Sequence, residues 1–84
     1  MAQVRVKLFA NLKDLAGTDC QTIDCDEGIS LEQLSSIIID KMPGLKDILE
    51  TGCVFISINQ EMAQKNDIVK DGDEIALLPP FSGG

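Results

Sequence analysis

The sequence predicts an α+β domain: a mixed sheet of four to five strands with helices packed on one of its faces. Three features predict it. Apolar residues alternate with period two near both ends of the chain, one stretch from residue 30 to 42 repeats with helical period, and no linker, repeat or low-complexity segment interrupts the 84 residues. A chain of this length holds one domain and one core. Per-residue scaling allots it about 4–13 kcal/mol of stability, with no disulfide or metal required.

Taken in order, Val4, Val6 and Leu8 alternate with Arg5, Lys7 and Phe9, which predicts a first strand with one buried face. Asn11 reads as the cap of a short helical turn carrying Leu12, Leu15 and Ala16 and ended by Gly17. Cys20, Thr22, Ile23 and Cys25 predict a second strand, antiparallel to the first because the connection is so short. Asp26-Glu27-Gly28 is a turn. Ser30 then opens the main helix with Gln33 at the capping-box position, and Leu31, Leu34, Ile38 and Met42 form its apolar stripe. Three consecutive isoleucines at 37–39 run against helix propensity, so tertiary packing must hold them. Pro43-Gly44 stops this helix, and Leu45, Ile48 and Leu49 give one further turn before Gly52.

Val54, Ile56 and Ile58, alternating with Phe55 and Ser57, predict a third strand that ends at Asn59-Gln60-Glu61. Met62 and Ala63 suit a short returning strand. Asp71-Gly72-Asp73 is a turn whose aspartates cap it, and Glu74 to Leu78 is the last strand. The order is β-β-α-β-(β)-β, with the first and last strands expected side by side at the centre.

Charge narrows the function. Seven Lys and Arg stand against fourteen Asp and Glu, a formal net charge of −7 with no His. Nucleic-acid binding is disfavoured, since cations on phosphates supply most of that affinity. An acidic membrane-surface protein is disfavoured too, whereas a partner with a basic surface would be steered towards this one. Without His the commonest general base and metal ligand is missing, so acid–base catalysis by the chain alone is a poor fit. Asp14, Asp26, Glu27, Asp71 and Asp73 read as surface or turn charges, and Lys65 and Lys70 as solvated surface. None is a nucleophile with a base in reach.

Cys20, Cys25 and Cys53 make an odd count. The opening residues lack a signal-peptide apolar run and no stretch approaches a membrane span, so a cytoplasmic location with reduced thiols is expected. Three cysteines without His cannot complete the usual zinc sets, and the four-cysteine pattern of an iron–sulfur site is absent. Along a strand Cys20 and Cys25 stand about 16 Å apart, beyond disulfide reach. Small buried packing residues are the expectation for the cysteines.

The functional signal lies in the ending Ile75-Ala76-Leu77-Leu78-Pro79-Pro80-Phe81-Ser82-Gly83-Gly84, which carries no charge. Two prolines halt sheet pairing and favour an extended exit from the fold. Phe81 is a large apolar group beyond the last element, where the domain's own core would struggle to cover it. A frayed terminus is the plain alternative. Two final glycines arise by chance only about once in two hundred chains, however, and a solvated tail is ordinarily polar. A side-chain-free Gly83-Gly84 can thread a narrow channel and leave the α-carboxylate of Gly84 as the reactive group at its tip. That carboxylate is an anion at neutral pH and a poor electrophile, so it needs activation as an acyl-adenylate. Sulfur replacing one oxygen would then give a thiocarboxylate with a soft, nucleophilic sulfur.

On these residues the chain resembles the family of small, sulfur-carrying subunits of molybdopterin synthase (MoaD type), in the ubiquitin-like β-grasp superfamily. The resemblance covers essentially the whole chain. It is carried by Val4-Arg5-Val6-Lys7-Leu8-Phe9-Ala10 with the Leu12-x2-Leu15-x-Gly17 step, by Ile58-Asn59-Gln60-Glu61, and above all by Asp71-Gly72-Asp73-Glu74 running on to Pro79-Pro80-Phe81-Ser82-Gly83-Gly84. It implies a β-grasp domain over residues 1–80 and a flexible tail over 81–84. It further implies that a ubiquitin-activating-type enzyme adenylates Gly84 with ATP, and that a sulfurtransferase or cysteine desulfurase system supplies the sulfur. The tail, with Ser82 and Gly83 threading, would insert into a large-subunit pocket of a heterotetramer and pass sulfur to cyclic pyranopterin monophosphate, building the dithiolene. No cofactor would be held permanently, since the sulfur travels as the covalent thiocarboxylate. Leu77, Pro80 and Phe81 would contact the large subunit or the activating enzyme, and Leu78 is assigned equally to core or contact. Leu77-Leu78 stands where the family often has aromatics, and Phe81 where a smaller aliphatic is common.

Three other roles fit parts of the pattern. A carrier for thiazole synthesis shares the ending, although Pro79-Pro80-Phe81-Ser82 leans against it. An Urm-like carrier would thiolate tRNA or be joined to lysines through Gly84. A β-grasp binding module would keep its function without Gly83-Gly84.

Overall fold

Strand β1, Ala2–Leu8, alternates buried and exposed residues along its whole length, with Ala2, Val4, Val6 and Leu8 at most 2% exposed. The computed structural model of the chain describes residues 2–51 and 54–79. After β1 come α1 (Asn11–Ala16), β2 (Cys20–Cys25), α2 (Leu31–Lys41), a 3-10 turn (Pro43–Leu45), α3 (Lys46–Glu50), β3 (Phe55–Ile58), β4 (Glu61–Met62) and β5 (Glu74–Leu78). They form one mixed five-stranded sheet in the order β2-β1-β5-β3-β4. β1 pairs antiparallel with β2 and parallel with β5, so the first and last strands lie side by side as the sequence predicts. No helix among the described residues is long and apolar enough to cross a membrane.

The core lies between one sheet face and the helices. Val4, Val6, Ile23, Ile75 and Leu77 meet Leu12, Leu34, Ile38 and Leu45, all at most 1% exposed. The apolar stripe of α2 sits as its spacing demands, with Leu31, Leu34, Ile38 and Met42 buried. Its start is the expected capping box. The Gln33 backbone N–H donates to Ser30 Oγ at 3.2 Å and the Ser30 N–H to Gln33 Oε1 at 3.0 Å. Ile38 alone of the three isoleucines is fully buried, while Ile37 and Ile39 are half-buried. Gly17 ends α1 in the left-handed region at φ 81°.

Several local expectations are corrected. Asn11 is the first residue inside α1 and not its cap. The cap position is Ala10, at φ 54°, with no side-chain hydrogen bond. The chain must reverse immediately after β1, and the turn is closed by backbone alone, with the Leu12 N–H donating to the Phe9 carbonyl at 3.1 Å. Cys25 is buried, but Cys20 is exposed, because Cys20 pairs with Lys7 on the face away from the helices. β4 stops at Met62, although the Ala63 N–H still donates to the Ile56 carbonyl at 3.0 Å. Cys53, Pro80, Phe81, Ser82, Gly83 and Gly84 lie outside the described residues, as does the boundary drawn between residues 80 and 81.

The Asn59-Gln60 turn does more than reverse the chain. Both residues have positive φ, 52° and 71°, the backbone of a two-residue hairpin turn. Asn59 Nδ2 donates to Asp73 Oδ1 at 2.9 Å, and the Glu74 N–H donates to Asn59 Oδ1 at 3.0 Å. Asp73 also accepts from the Lys70 N–H at 2.7 Å, and Asp71 from the Gln3 N–H at 2.8 Å. The acidic turn is therefore structural, as its Asp-Gly-Asp pattern implies.

Candidate functional site

β5 delivers the chain to its ending. It is hydrogen-bonded on both sides, to β1 in parallel and to β3 antiparallel, so its position is fixed by two ladders. Alternation along it then decides what each residue can do. Ile75 and Leu77 point to the core, and Glu74, Ala76 and Leu78 to the opposite face. Leu77 is 0% exposed between Leu8 and Ile56 in register. It is core and cannot touch a partner, which corrects the contact role assigned to it. Leu78, half-buried, is the residue that faces outward.

The sheet face away from the helices is divided along the strands. At one end stand Gln3, Asp24, Arg5, Thr22 and Glu74, paired across β2, β1 and β5. At the end where β5 leaves, the register sets Phe55 beside Leu78 and Ser57 beside Ala76 and Met62. Phe55 is 45% exposed and Met62 66%. Phe9, also 44% exposed, is tied to the same end because its N–H donates to the Leu77 carbonyl at 3.4 Å. Exposed large apolar side chains gathered at one place mark an interaction surface. The sequence carried a signal for it. Phe55 is apolar on the face where alternation with Ile56 and Ile58 calls for a polar residue.

A groove of about 600 Å³ continues this surface around the β4 edge, floored by Ile39, Leu49, Val54, Ile56 and Ala63 and rimmed by Glu32 and Lys65. Ser35 Oγ donates to the Leu31 carbonyl at 3.0 Å, and no hydrogen bond among the described residues joins Ser35 or Ser36 to a carboxylate or amine of the lining. Cys25 is no nucleophile. Burial, then the negative charges of Asp26, Asp24 and Asp71, push its thiol above the ordinary cysteine range and keep it protonated. No group of three or more His, Cys, Asp or Glu among the described residues could hold a metal ion. The exposed Phe9, Phe55 and Met62 suit the face to binding.

Comparison with known proteins finds relatives along the whole chain. Residues 6–84 match the ThiS family model. The molybdopterin synthase sulfur carrier subunit of Chlamydomonas reinhardtii is 40% identical over 84 residues, covering 98% of this chain and 99% of that protein. The solution structure of small archaeal modifier protein 1 from Methanosarcina acetivorans has a TM-score of 0.82 at 34% identity, over 100% of this chain and 98% of that one. A chain from the complex of subunits 1 and 2 of the molybdopterin-converting factor of Helicobacter pylori has a TM-score of 0.70 at 31% identity, over 98% and 99% of the two chains.

Proposed function

This chain belongs to the ThiS family, and on that premise we propose that it is the sulfur-carrying subunit of a molybdopterin synthase. The observation that carries the proposal is the pairing of two features. The likeness to a molybdopterin synthase sulfur carrier subunit runs over the full length of both chains. The doubly paired strand β5 leads the chain out beside an exposed apolar face, with no catalytic constellation among the described residues.

The domain is then a handle and the reaction belongs to Gly84. An adenylating enzyme of the ubiquitin-activating type binds the handle, and a Gly84 carboxylate oxygen attacks the α-phosphorus of ATP, releasing pyrophosphate. A persulfide sulfur on a sulfurtransferase or cysteine desulfurase attacks the Gly84 carbonyl and displaces AMP, and a thiol then cleaves the resulting acyl disulfide, becoming oxidised to a disulfide and freeing the thiocarboxylate. The large subunit takes the tail into its pocket, with Ser82 and Gly83 passing the narrowest stretch. There the thiocarboxylate sulfur attacks cyclic pyranopterin monophosphate, water hydrolyses the resulting acyl–sulfur bond and returns the Gly84 carboxylate, and a second such transfer completes the dithiolene. The chain holds no permanent cofactor and is not a catalyst alone. Phe55, Leu78 and Met62 replace Leu77 as the docking residues on the described surface, and Pro80 and Phe81 keep the contact role proposed for them.

Intact-mass spectrometry tests this on protein recovered from cells and after incubation with ATP and lysate of the same origin. The expected result is a gain matching one oxygen replaced by sulfur, absent when Gly84 is deleted, and molybdopterin formed on adding large subunit and precursor. An unchanged mass under all these conditions would refute the carrier reading. The likeness to an archaeal modifier protein favours one second reading, attachment of Gly84 to lysines of other proteins. Gly-Gly remnants on target lysines after proteolysis are its signature.

A further inference from the structure

Beside the apolar patch the same sheet face carries a concentration of positive charge that the overall composition hides. Arg5 and Lys7 on β1 and Lys13 on α1 line one shallow concavity with Phe9, Asp19 and Cys20. Three of the chain's seven Lys and Arg therefore border one spot in a molecule of net charge −7. Asp19 is the sole acidic residue lining it. Lys7 reaches Glu74 at 3.5 Å, and this is the one salt bridge among the described residues, so Arg5 and Lys13 are exposed with no ion-pair partner there. The position is as telling as the charge. Phe9 lines the concavity and also donates its N–H to Leu77, so the concavity runs from Arg5, level with Glu74 at the start of β5, to the end of β1 beside the last residues of β5.

We propose that this cationic concavity receives a carboxylate-bearing segment of the synthase large subunit and sets the register in which the neighbouring apolar face docks. The inference rests on the sulfur-carrier reading above and names one contact of that complex. The reasoning is from complementarity. A molecule this acidic is drawn over long range to a basic partner, so a local inversion of sign rejects that partner's cations at one place and accepts its anions. Apolar contact through Phe55, Leu78 and Met62 is non-directional and tolerates sliding. A charge match beside it selects one orientation, the one that aims the tail at its channel.

The test exploits opposite signs. The Arg5→Glu, Lys13→Glu pair and a control pair, Lys46→Glu, Lys70→Glu, lower the net charge equally, and neither control residue lines the concavity. Binding of each intact protein to purified large subunit is measured by titration calorimetry and stopped flow across a salt series. The concavity pair should weaken binding by about tenfold or more at low salt, with a slower association rate, and the gap should narrow at high salt as screening shortens the range of the charges. The control pair should bind as wild type or faster. The neutral pair R5Q and K13Q, which adds no carboxylate opposite Glu74, should shift binding in the same direction by a smaller factor. Melting curves confirm that each variant is folded. If the concavity pair binds as tightly as the control pair with the same salt slope, the inference is overturned while the carrier reading stands. Wild-type protein that neither binds the large subunit nor passes sulfur would overturn both.

Discussion

Leu77 and Leu78 are adjacent and chemically identical, yet the sheet gives them separate tasks, and truncating each in turn exposes the difference. Leu77 is 0% exposed and central, flanked in register by Leu8 and Ile56. Leu77→Ala removes three carbons from a close-packed core that collapses only partly, a loss of about 2.7–5 kcal/mol. Against a total of about 4–13 kcal/mol, that leaves a marginal domain. A loss of about 3 kcal/mol corresponds to a fall in Tm of roughly 12–24 °C for a domain of this size. Leu78→Ala removes the same atoms from a half-buried site on the outer face, where about half the transfer term is at stake, roughly 1 kcal/mol. The order reverses for binding. Leu78→Asp places a charge in the apolar patch beside Phe55 and should abolish capture by the large subunit in a protein that still melts cooperatively. The chain has no Trp or Tyr, so unfolding is best followed by far-ultraviolet circular dichroism in urea rather than by fluorescence. Equal losses at the two positions, or a Leu77→Ala variant less than about 1 kcal/mol below wild type with unchanged slope, would refute the assignment of faces.

Three further outcomes follow from local geometry. A methyl group at Gly44 would lie inside contact distance of the Leu15 carbonyl oxygen, rigid backbone of α1, so Gly44→Ala should lower stability by about 1–3 kcal/mol in the same urea experiment. Gln60 holds a side chain at φ 71°, and Gln60→Gly should relieve that strain and raise stability by up to about 1 kcal/mol in thermal melts. Cys25 is held protonated in the fold, with its pKa raised by burial and neighbouring aspartates. The unfolded thiol ionises first as pH rises, so this group's contribution is intact below about pH 8.5 and declines above it. Wild-type Tm should accordingly fall more steeply than that of Cys25→Ala between about pH 8.5 and 10, and parallel curves would contradict the shift.

Much of this protein was written in the order of its residues. Period-two alternation from Val4 to Leu8 and from Glu74 to Leu78, the Ser30–Gln33 capping box and the Leu31-Leu34-Ile38-Met42 stripe depend on neighbours a few positions away, so each element is legible without the fold. The glycine-ended apolar tail, and with it the carrier reading, is likewise a property of local composition. Other features depend on which strands meet. Alternation separates Leu77 from Leu78 but cannot say which of two apolar neighbours faces the helices, and pairing with Leu8 and Ile56 settled it. Cys20 became an exposed residue because its register partner is Lys7, on the outer face. Ala10 could displace Asn11 as the cap because a reversal forced by the sheet sets its backbone. The patch of Phe55, Leu78 and Met62 and the cluster of Arg5, Lys7 and Lys13 draw on residues far apart in the chain. Sequence determined the elements and the uncharged, glycine-ended tail, because those arise from short-range periodicity and composition. Tertiary structure alone decided the faces, because a strand's two sides are distinguished only by what packs against them.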